Sequence, residues 1–399
     1  MDFNTLQPWQ EVGETGVIYE AGSIYARLLK LTDLRKARGK QYSLEALLMI
    51  VLLAKLSGQD KPVEIADWAK NNQERLTELL KLKRDKMPHH NTYRRILAHK
   101  VYREEVEQLV QEHHSQGKQG DHYGVDGKTV RGTRQANELR GDHLLSVYDI
   151  QEGKVLVQME VDSKENEIVV APQALAGLNL TGKLISADDM HTQRGFSAQI
   201  VGAGGDYIFP VKENQPRVYQ DIQQLFAPER PKPGFGKIST DFSSATQVSK
   251  GHGRLEIRTL TTSEMLNAHV DWPGLGQVYR LERQFSWLRA GSCYKQTCET
   301  EYGITSLTCA EASPLQVLQN RREHWFIETG LHYRRDVTLR EDATRMTIGN
   351  MGAVMAAINN LTLALIKQAG FYNAAQGRRW FAGHLDRAFD LLTTANPRL

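Results

Sequence analysis

Between residues 43 and 56 the chain carries a nearly unbroken apolar run, Ala46 to Ala54, with the polar positions pushed to its ends. Such a segment predicts a helix buried on every side. Similar periodicity over Pro62 to Lys70 and Gln73 to Leu82, punctuated by Gly58 and Pro62, predicts a helical region over residues 20 to 115. The texture changes at residue 121. Tyr123 and Val125 alternate with smaller residues, and His143 to Ile150 and Lys154 to Val161 are apolar-rich runs joined by the turn residues Gln151-Glu152-Gly153. Residues 166 to 176 read as a helix, Lys183 to Ala187 as a buried strand, 191 to 203 as a helix and Tyr207 to Val211 as a strand. This succession predicts a mixed α/β sheet.

Residues 226 to 300 read differently: Pro228, Pro231, Pro233, Gly234 and Gly236 mark a loop, followed by alternating strand candidates at Arg254 to Leu260 and Gln277 to Gln284. Helical periodicity returns over 313 to 329 and again from Met351 to Leu365. The expected organisation is a helical N-terminal domain (1–115), a first part of an α/β core (120–225), a β-rich insertion (226–300), the rest of the core (301–375) and a C-terminal tail (376–399).

Composition changes this picture little, because 40% apolar and 24% charged residues are ordinary for a globular chain of 399 residues. The longest apolar run is far short of the roughly 20 residues that span a bilayer, so no membrane span is expected. Met1 to Thr5 carry no basic segment leading into an apolar one, so no secretory signal is expected either. Cys293, Cys298 and Cys309 lack CxxC spacing, which disfavours a disulfide framework or zinc ribbon and fits a reducing cytoplasm.

Charge does change the picture. The net charge is only +3, so any nucleic-acid footprint must be local. Residues 81 to 103 hold eight Lys and Arg against the single acid Asp85, with Tyr93 and Tyr102 interleaved. Pro88 breaks the run, and Asn91-Thr92 could cap a helix presenting Tyr93, Arg94 and Arg95 to a DNA or RNA backbone; a solvated helix face is the alternative.

Candidate chemistry begins at Asp126, where a strand ends in Asp-Gly. A carboxylate there can hold a hard cation while Lys128, Arg131 and Arg134 meet phosphate oxygens, although Asp-Gly is also an ordinary turn. Asp188 ends a second buried strand in the same way, with Asp189 beside it as a candidate helix N-cap. Arg321, His324, Glu328, His332 and Arg335 share one face if their segment is helical throughout, with one carboxylate in a basic stripe. His324, Glu328 and His332 could alternatively hold zinc. Lys212, His252, Arg254 and Arg258 are candidate backbone contacts, and Trp272 and Trp287 could stack on an unpaired base or fill a core.

Several motifs then occur in a fixed order: Val125-Asp126-Gly127-Lys128-Thr129-Val130-Arg131-Gly132, Glu165-Asn166-Glu167-Ile168, Ala187-Asp188-Asp189-Met190-His191-Thr192-Gln193, and Asp206-Tyr207-Ile208 with Lys212-Glu213-Asn214-Gln215. His252-Gly253-Arg254 with Glu256, Arg322-Glu323-His324-Trp325-Phe326-Ile327-Glu328, and Asp336-Val337 with Glu341, Asp342 and Arg345 complete the series. In this order the chain resembles insertion-sequence transposases of the H-repeat-associated (ISAs) group, within the RNase H-like DDE transposases. The resemblance implies an RNase H-like mixed-sheet core interrupted by a β-rich insertion, with Asp126, Asp188 and Glu328 as the catalytic, metal-binding triad. It implies Mg²⁺ or Mn²⁺, two ions, as cofactor, and double-stranded DNA, both element ends and target, as partner. Further implied are a homo-oligomer when ends are paired and a nucleoid-associated place in the cytoplasm. Lys128, Arg131, Lys212, Arg254, Arg321, His324, Arg94 and Arg95 are the expected DNA contacts. The chain departs from its relatives in having Asp189 where a small residue is usual and His324 where related groups have Arg. The rival functions are a transposase-derived DNA-binding protein without cleavage and an RNase H-like nuclease without strand transfer.

Overall fold

The computed structural model describes residues 9–136, 140–162, 166–227, 240–251, 253–289 and 292–395. Glu165, His252 and the Pro/Gly-rich loop over 228–239 lie outside these residues. A small hairpin, β1 (Gln10–Val12) and β2 (Ile18–Glu20), precedes helices α1 (Ile24–Leu28), α2 (Leu44–Leu56), α3 (Pro62–Asn71), α4 (Gln73–Leu79), α5 (His90–His99) and α6 (Arg103–Ser115). Then come β3 (His122–Thr129), β4 (His143–Asp149), β5 (Lys154–Val161), α7 (Glu167–Leu175), β6 (Leu184–Ala187), α8 (Arg194–Gly202), β7 (Asp206–Val211) and α9 (Pro216–Leu225). Four long strands follow, β8 (Ser243–Gly251), β9 (Arg254–Ser263), β10 (Gln277–Arg289) and β11 (Ser292–Thr305). The chain ends in α10 (Pro314–Glu323), α11 (Met351–Gln368), α12 (Ala374–Gly383) and α13 (Leu385–Thr393).

All strands from β3 onward form one sheet in the order β5-β4-β3-β6-β7-β11-β10-β9-β8. β3, β4 and β5 run antiparallel, while β3, β6 and β7 are parallel neighbours, so the core is the expected mixed α/β sheet. The β4–β5 turn closes where expected: Gly153 takes φ +65 and its N–H reaches the Asp149 carbonyl at 2.7 Å. The β-rich segment is not a detached lobe. β11 pairs antiparallel with β7 from Tyr302 to Thr305, so four further strands continue the sheet.

Two apolar layers sandwich the strands. Tyr123, Val125, Ile185, Ala187 and Phe209 face α7, α8 and Trp272, the last buried with its indole N–H on Ser197 Oγ at 3.1 Å. Trp272 is therefore a core residue. The opposite layer joins α2, α3, α5 and α6 to α11, α12 and α13 around Met49, Leu53, Val354 and Phe381. Residues of 376–399 expected as a tail are helical through Thr393, and they complete the core of the first hundred residues. Within it Asp60, in the α2–α3 loop, receives Lys55 Nζ at 3.0 Å and the Arg378 guanidinium at 2.8 Å, which offsets part of the cost of burying the two cations.

α6 docks on the sheet through His114, whose Nδ1 lies 2.6 Å from the Val155 carbonyl. Burial pushes the His114 pKa down to about 3 and that of His113 to about 4. Both rings stay neutral in the folded chain while the unfolded chain protonates them near pH ~6.5. Stability is thus complete above that value and falls as the pH drops toward 4, by up to about 1.4 kcal/mol per pH unit per histidine. Urea denaturation between pH 5 and 7 is expected to show this slope, and His114→Gln to flatten it; an unchanged slope in the variant would place the titration elsewhere.

Candidate active site

β3 alternates. Its odd residues Tyr123 and Val125 enter the apolar layer under α7, while His122, Gly124, Asp126 and Lys128 point to the other face. β6 lies parallel to it with Val125 opposite Ala187, so Asp126 and Asp188 leave two neighbouring strands side by side on that same face. Adjacent strands stand about 4.8 Å apart. β3 does not end in Asp-Gly as expected: Asp126 is paired within the strand, which runs on to Thr129, while Asp188 directly follows β6, and the two carboxylates meet there.

The segment from α10 to Thr338 crosses this face. Ser313 and Gln316 form a capping box at its start, and the regular helix ends at Glu323. Glu323 Oε2 is 3.1 Å from His122 Nδ1, and His324 Nδ1 is 3.0 Å from Ser186 Oγ. The other nitrogen of His324 is 3.4 Å from Asp188 Oδ1. Ile327 packs over Gly124, His332 Nε2 lies 3.1 Å from Asp126 Oδ2, and Asp336 takes Lys128 Nζ at 2.7 Å. The hydrogen bond from His324 holds the Asp188 carboxyl below the usual carboxylate range against the opposing effect of burial.

The expected shared face of Arg321, His324, Glu328, His332 and Arg335 is only partly realised. Arg321 forks onto Glu301 at 2.7 and 3.2 Å, and His324, His332 and Arg335 are buried, but Glu328 is exposed. It makes no side-chain hydrogen bond or ion pair among the described residues. The cause is local: Glu328–His332 and Arg334–Thr338 are π turns, whose wider i→i+5 ladder shifts the residues out of α phase. The histidines thus address the strand carboxylates rather than each other. Among the described residues no three His, Cys, Asp or Glu side chains converge as a metal cage, so neither the zinc arrangement of His324, Glu328 and His332 nor a closed set of Asp126, Asp188 and Glu328 is formed; the two aspartates are neighbours and Glu328 stands apart from them.

Three expected DNA contacts are turned inward. Lys128 is buried on Asp336, Arg321 is spent on Glu301, and His324 is buried on Ser186 and Asp188. Tyr93 is also core, and His89 rather than Asn91 or Thr92 caps α5. Asp189 does not cap α8, which starts after Gln193; its carboxylate holds Lys212 Nζ at 2.7 Å. Asp188 is thereby separated from its acidic neighbour by direction as well as by partner. The remaining cations are outward: Arg131 and Lys212 expose 83% and 61% of their side chains. Arg254 is half exposed over the Phe285 ring, and Arg94 and Arg95 line an open groove with Ile348. Arg258 is drawn onto Glu256, and Lys295 lies over the partly buried Trp287 ring at 4.9 Å. Beyond the end of β3, Arg131, Arg134 and Arg345 share a cleft of about 440 Å³ with Asp342.

Residues 117–365, which contain Asp126, Asp188 and Glu328, match the family described as the transposase DDE domain. The chain belongs to that family. Residues 25–114 match the DDE_Tnp_1-associated domain that accompanies it. Among curated relatives of this DDE transposase, the "H repeat-associated putative transposase YhhI" of Escherichia coli K12 is 25% identical over 371 residues, 90% of this chain and 94% of the relative. A Xanthobacter autotrophicus protein described as "Uncharacterized protein in dhlA 3'region" is 29% identical over 280 residues, 68% of this chain and 92% of the relative. A solved piggyBac transposase synaptic complex with hairpin DNA aligns with a TM-score of 0.47 and 12% identity, over 92% of this chain and 78% of that chain. No helix among the described residues of the transposase is long and apolar enough to cross a membrane.

Ser186, Asp336 and the histidines His143 and His191 were not singled out as site residues by the sequence. Ser186 had a signal, since it lies two positions before Asp188 on one strand and must share its face. Asp336 belongs to the ordered motif series, but nothing local names its partner Lys128, 208 positions away.

Proposed function

We propose that this transposase cuts the DNA at the ends of a mobile element and joins it to target DNA, with Asp126, Asp188 and Glu328 as ligands for two Mg²⁺ or Mn²⁺ ions. The observation that carries this reading is the register of the parallel strands β3 and β6, which sets Asp126 on the one beside Asp188 just past the other. An all-oxygen, anionic donor pair suits a hard divalent cation, and Glu328, exposed and without a protein partner among the described residues, is open to complete the set. Bound ions would supply an activated oxygen nucleophile and neutralise charge on the leaving oxygen.

The chain's own residues prepare that site. His324, steadied by Ser186, holds Asp188, and His332 holds Asp126, so each carboxylate has a fixed direction before DNA arrives. Arg131, Lys212, Arg254, Arg94 and Arg95 are the exposed cations suited to the phosphate backbone of double-stranded DNA, whereas Lys128, Arg321 and His324 serve the protein interior. In this reading the helical region 1–115 and the β-rich segment 226–300 flank the catalytic core as DNA-handling parts, and copies of the chain associate to pair two ends.

End-labelled DNA carrying the element's terminus, incubated with the protein and Mg²⁺ or Mn²⁺, is expected to yield 3′-OH ends and then products joined to a target plasmid. Binding without cutting under either ion would leave a DNA-binding protein. Cutting without joined products would leave a nuclease.

A further inference from the structure

On the opposite face of the same strand ends lies a second cluster that the proposed chemistry does not use. Glu167, the first residue of α7, is nearly buried between two imidazoles: Oε1 is 2.7 Å from His143 Nε2 and Oε2 is 3.2 Å from His191 Nε2. His143 Nδ1 is in turn 2.8 Å from Thr129 Oγ1. We propose that Glu167, gripped by His143 and His191, is a positioning residue that fixes the separation of the Asp126 and Asp188 carboxylates. The proposal rests on the reading of those two aspartates as metal ligands.

The placement of the cluster carries it. Thr129 ends β3 three residues after Asp126, and His143 is its cross-strand partner at the start of β4. His191 closes the short 3₁₀ turn that begins directly after Asp188. One carboxylate therefore ties the end of β3, the start of β4 and the turn after β6. It also presses on the backbone beside the first aspartate, because a Cβ at Gly127 would stand only 2.3 Å from the Glu167 carboxyl. Only glycine leaves room for the acid there.

Glu167 stays ionised throughout the neutral range. Burial alone would raise its pKa, but the hydrogen bonds from His143 and His191 bring it down to about 2. The charge-assisted pair of bonds is correspondingly strong. Asp126 and Asp188 project to the other side of the sheet and Glu167 reaches neither, so it acts through strand ends and not on DNA. Residues that orient metal ligands from behind typically change metal affinity or activity by about 10–100-fold when removed.

The test is Mn²⁺ binding to the full chain without DNA, followed by electron paramagnetic resonance, with thermal melting on the same samples. Glu167→Ala is expected to weaken Mn²⁺ binding by about tenfold or more at little change in melting temperature. Glu167→Gln, which restores one of the two bonds, is expected to recover part of the affinity. His143→Ala, which removes one arm and keeps the acid, is expected to give a loss that is not additive with that of Glu167→Ala, and it serves alone if the latter fails to fold. Mn²⁺ binding that Asp126→Asn lowers but Glu167→Ala or His143→Ala leaves within twofold of the native protein overturns the clamp. Binding that Asp126→Asn itself leaves unchanged overturns the ligand reading, and the clamp with it.

Discussion

The Asp126→Asn variant is expected to bind element-end DNA as the native protein does and to cut it at least about a thousandfold more slowly. Asparagine keeps the shape and one oxygen for the His332 nitrogen that lies 3.1 Å from the native carboxylate, so the packing of the crossing segment on β3 is retained. What it removes is the negative charge beside Asp188. Charge stabilisation by a bound divalent ion is worth several kcal/mol, and each 1.4 kcal/mol, roughly, is a factor of ten in rate. Cleavage assays at saturating Mg²⁺, with DNA binding and melting temperature measured alongside, separate loss of chemistry from loss of fold. Cleavage within tenfold of the native rate would remove Asp126 from the site.

A different kind of loss is expected at Glu341. Its side chain and that of Arg335 are both fully buried, with Arg335 Nε 2.9 and 3.1 Å from the two carboxylate oxygens. Asn359 adds a hydrogen bond at 2.8 Å. Burial alone would raise the Glu341 pKa, but the Arg335 guanidinium keeps it below the usual range, so both members of the pair are charged. Glu341→Ala leaves the guanidinium in the protein interior without its counter-ion, and breaking a buried pair in this way costs about 3–5 kcal/mol. Removing both charges together, Arg335→Met with Glu341→Leu, is expected to recover most of that loss, because an apolar pair of similar volume carries no desolvation penalty. Urea denaturation of the single and double variants checks both statements. A double variant no more stable than Glu341→Ala would show that packing, not the orphaned charge, sets the cost.

The strands of the core were legible because each carries its own signal. Val125 and Ala187 are flanked by residues that alternate or run apolar, and Gln151-Glu152-Gly153 names its own turn. Two of the proposed ligands were legible for the same reason, since Asp126 lies on one such strand and Asp188 directly follows another. What escaped is what depends on distant partners. Lys128 read as a phosphate contact because Asp336, which neutralises it, is remote in sequence. Arg321, likewise, is committed to a glutamate on β11. The end of regular helix at Glu323 and the π turns over 328–338 have no periodic signature in so short a segment, and together they leave Glu328 exposed while His324 and His332 are buried. The helices of the first hundred residues carry their own periodicity, yet nothing local announces that Val354, Phe381 and Leu391 finish their core.

That last arrangement bears on the order in which the protein can come into being. A chain grows from its N-terminus, and units that are complete in themselves can fold as they emerge. Here Met49 and Leu53 wait for apolar partners more than three hundred positions later, and Asp60 waits for Arg378. The helical layer that includes α5, with Arg94 and Arg95, therefore reaches its final packing only after the sheet has left the ribosome. A shortened translation product, even one that keeps Arg94 and Arg95 of α5, would lack the helices that hold that helix in place.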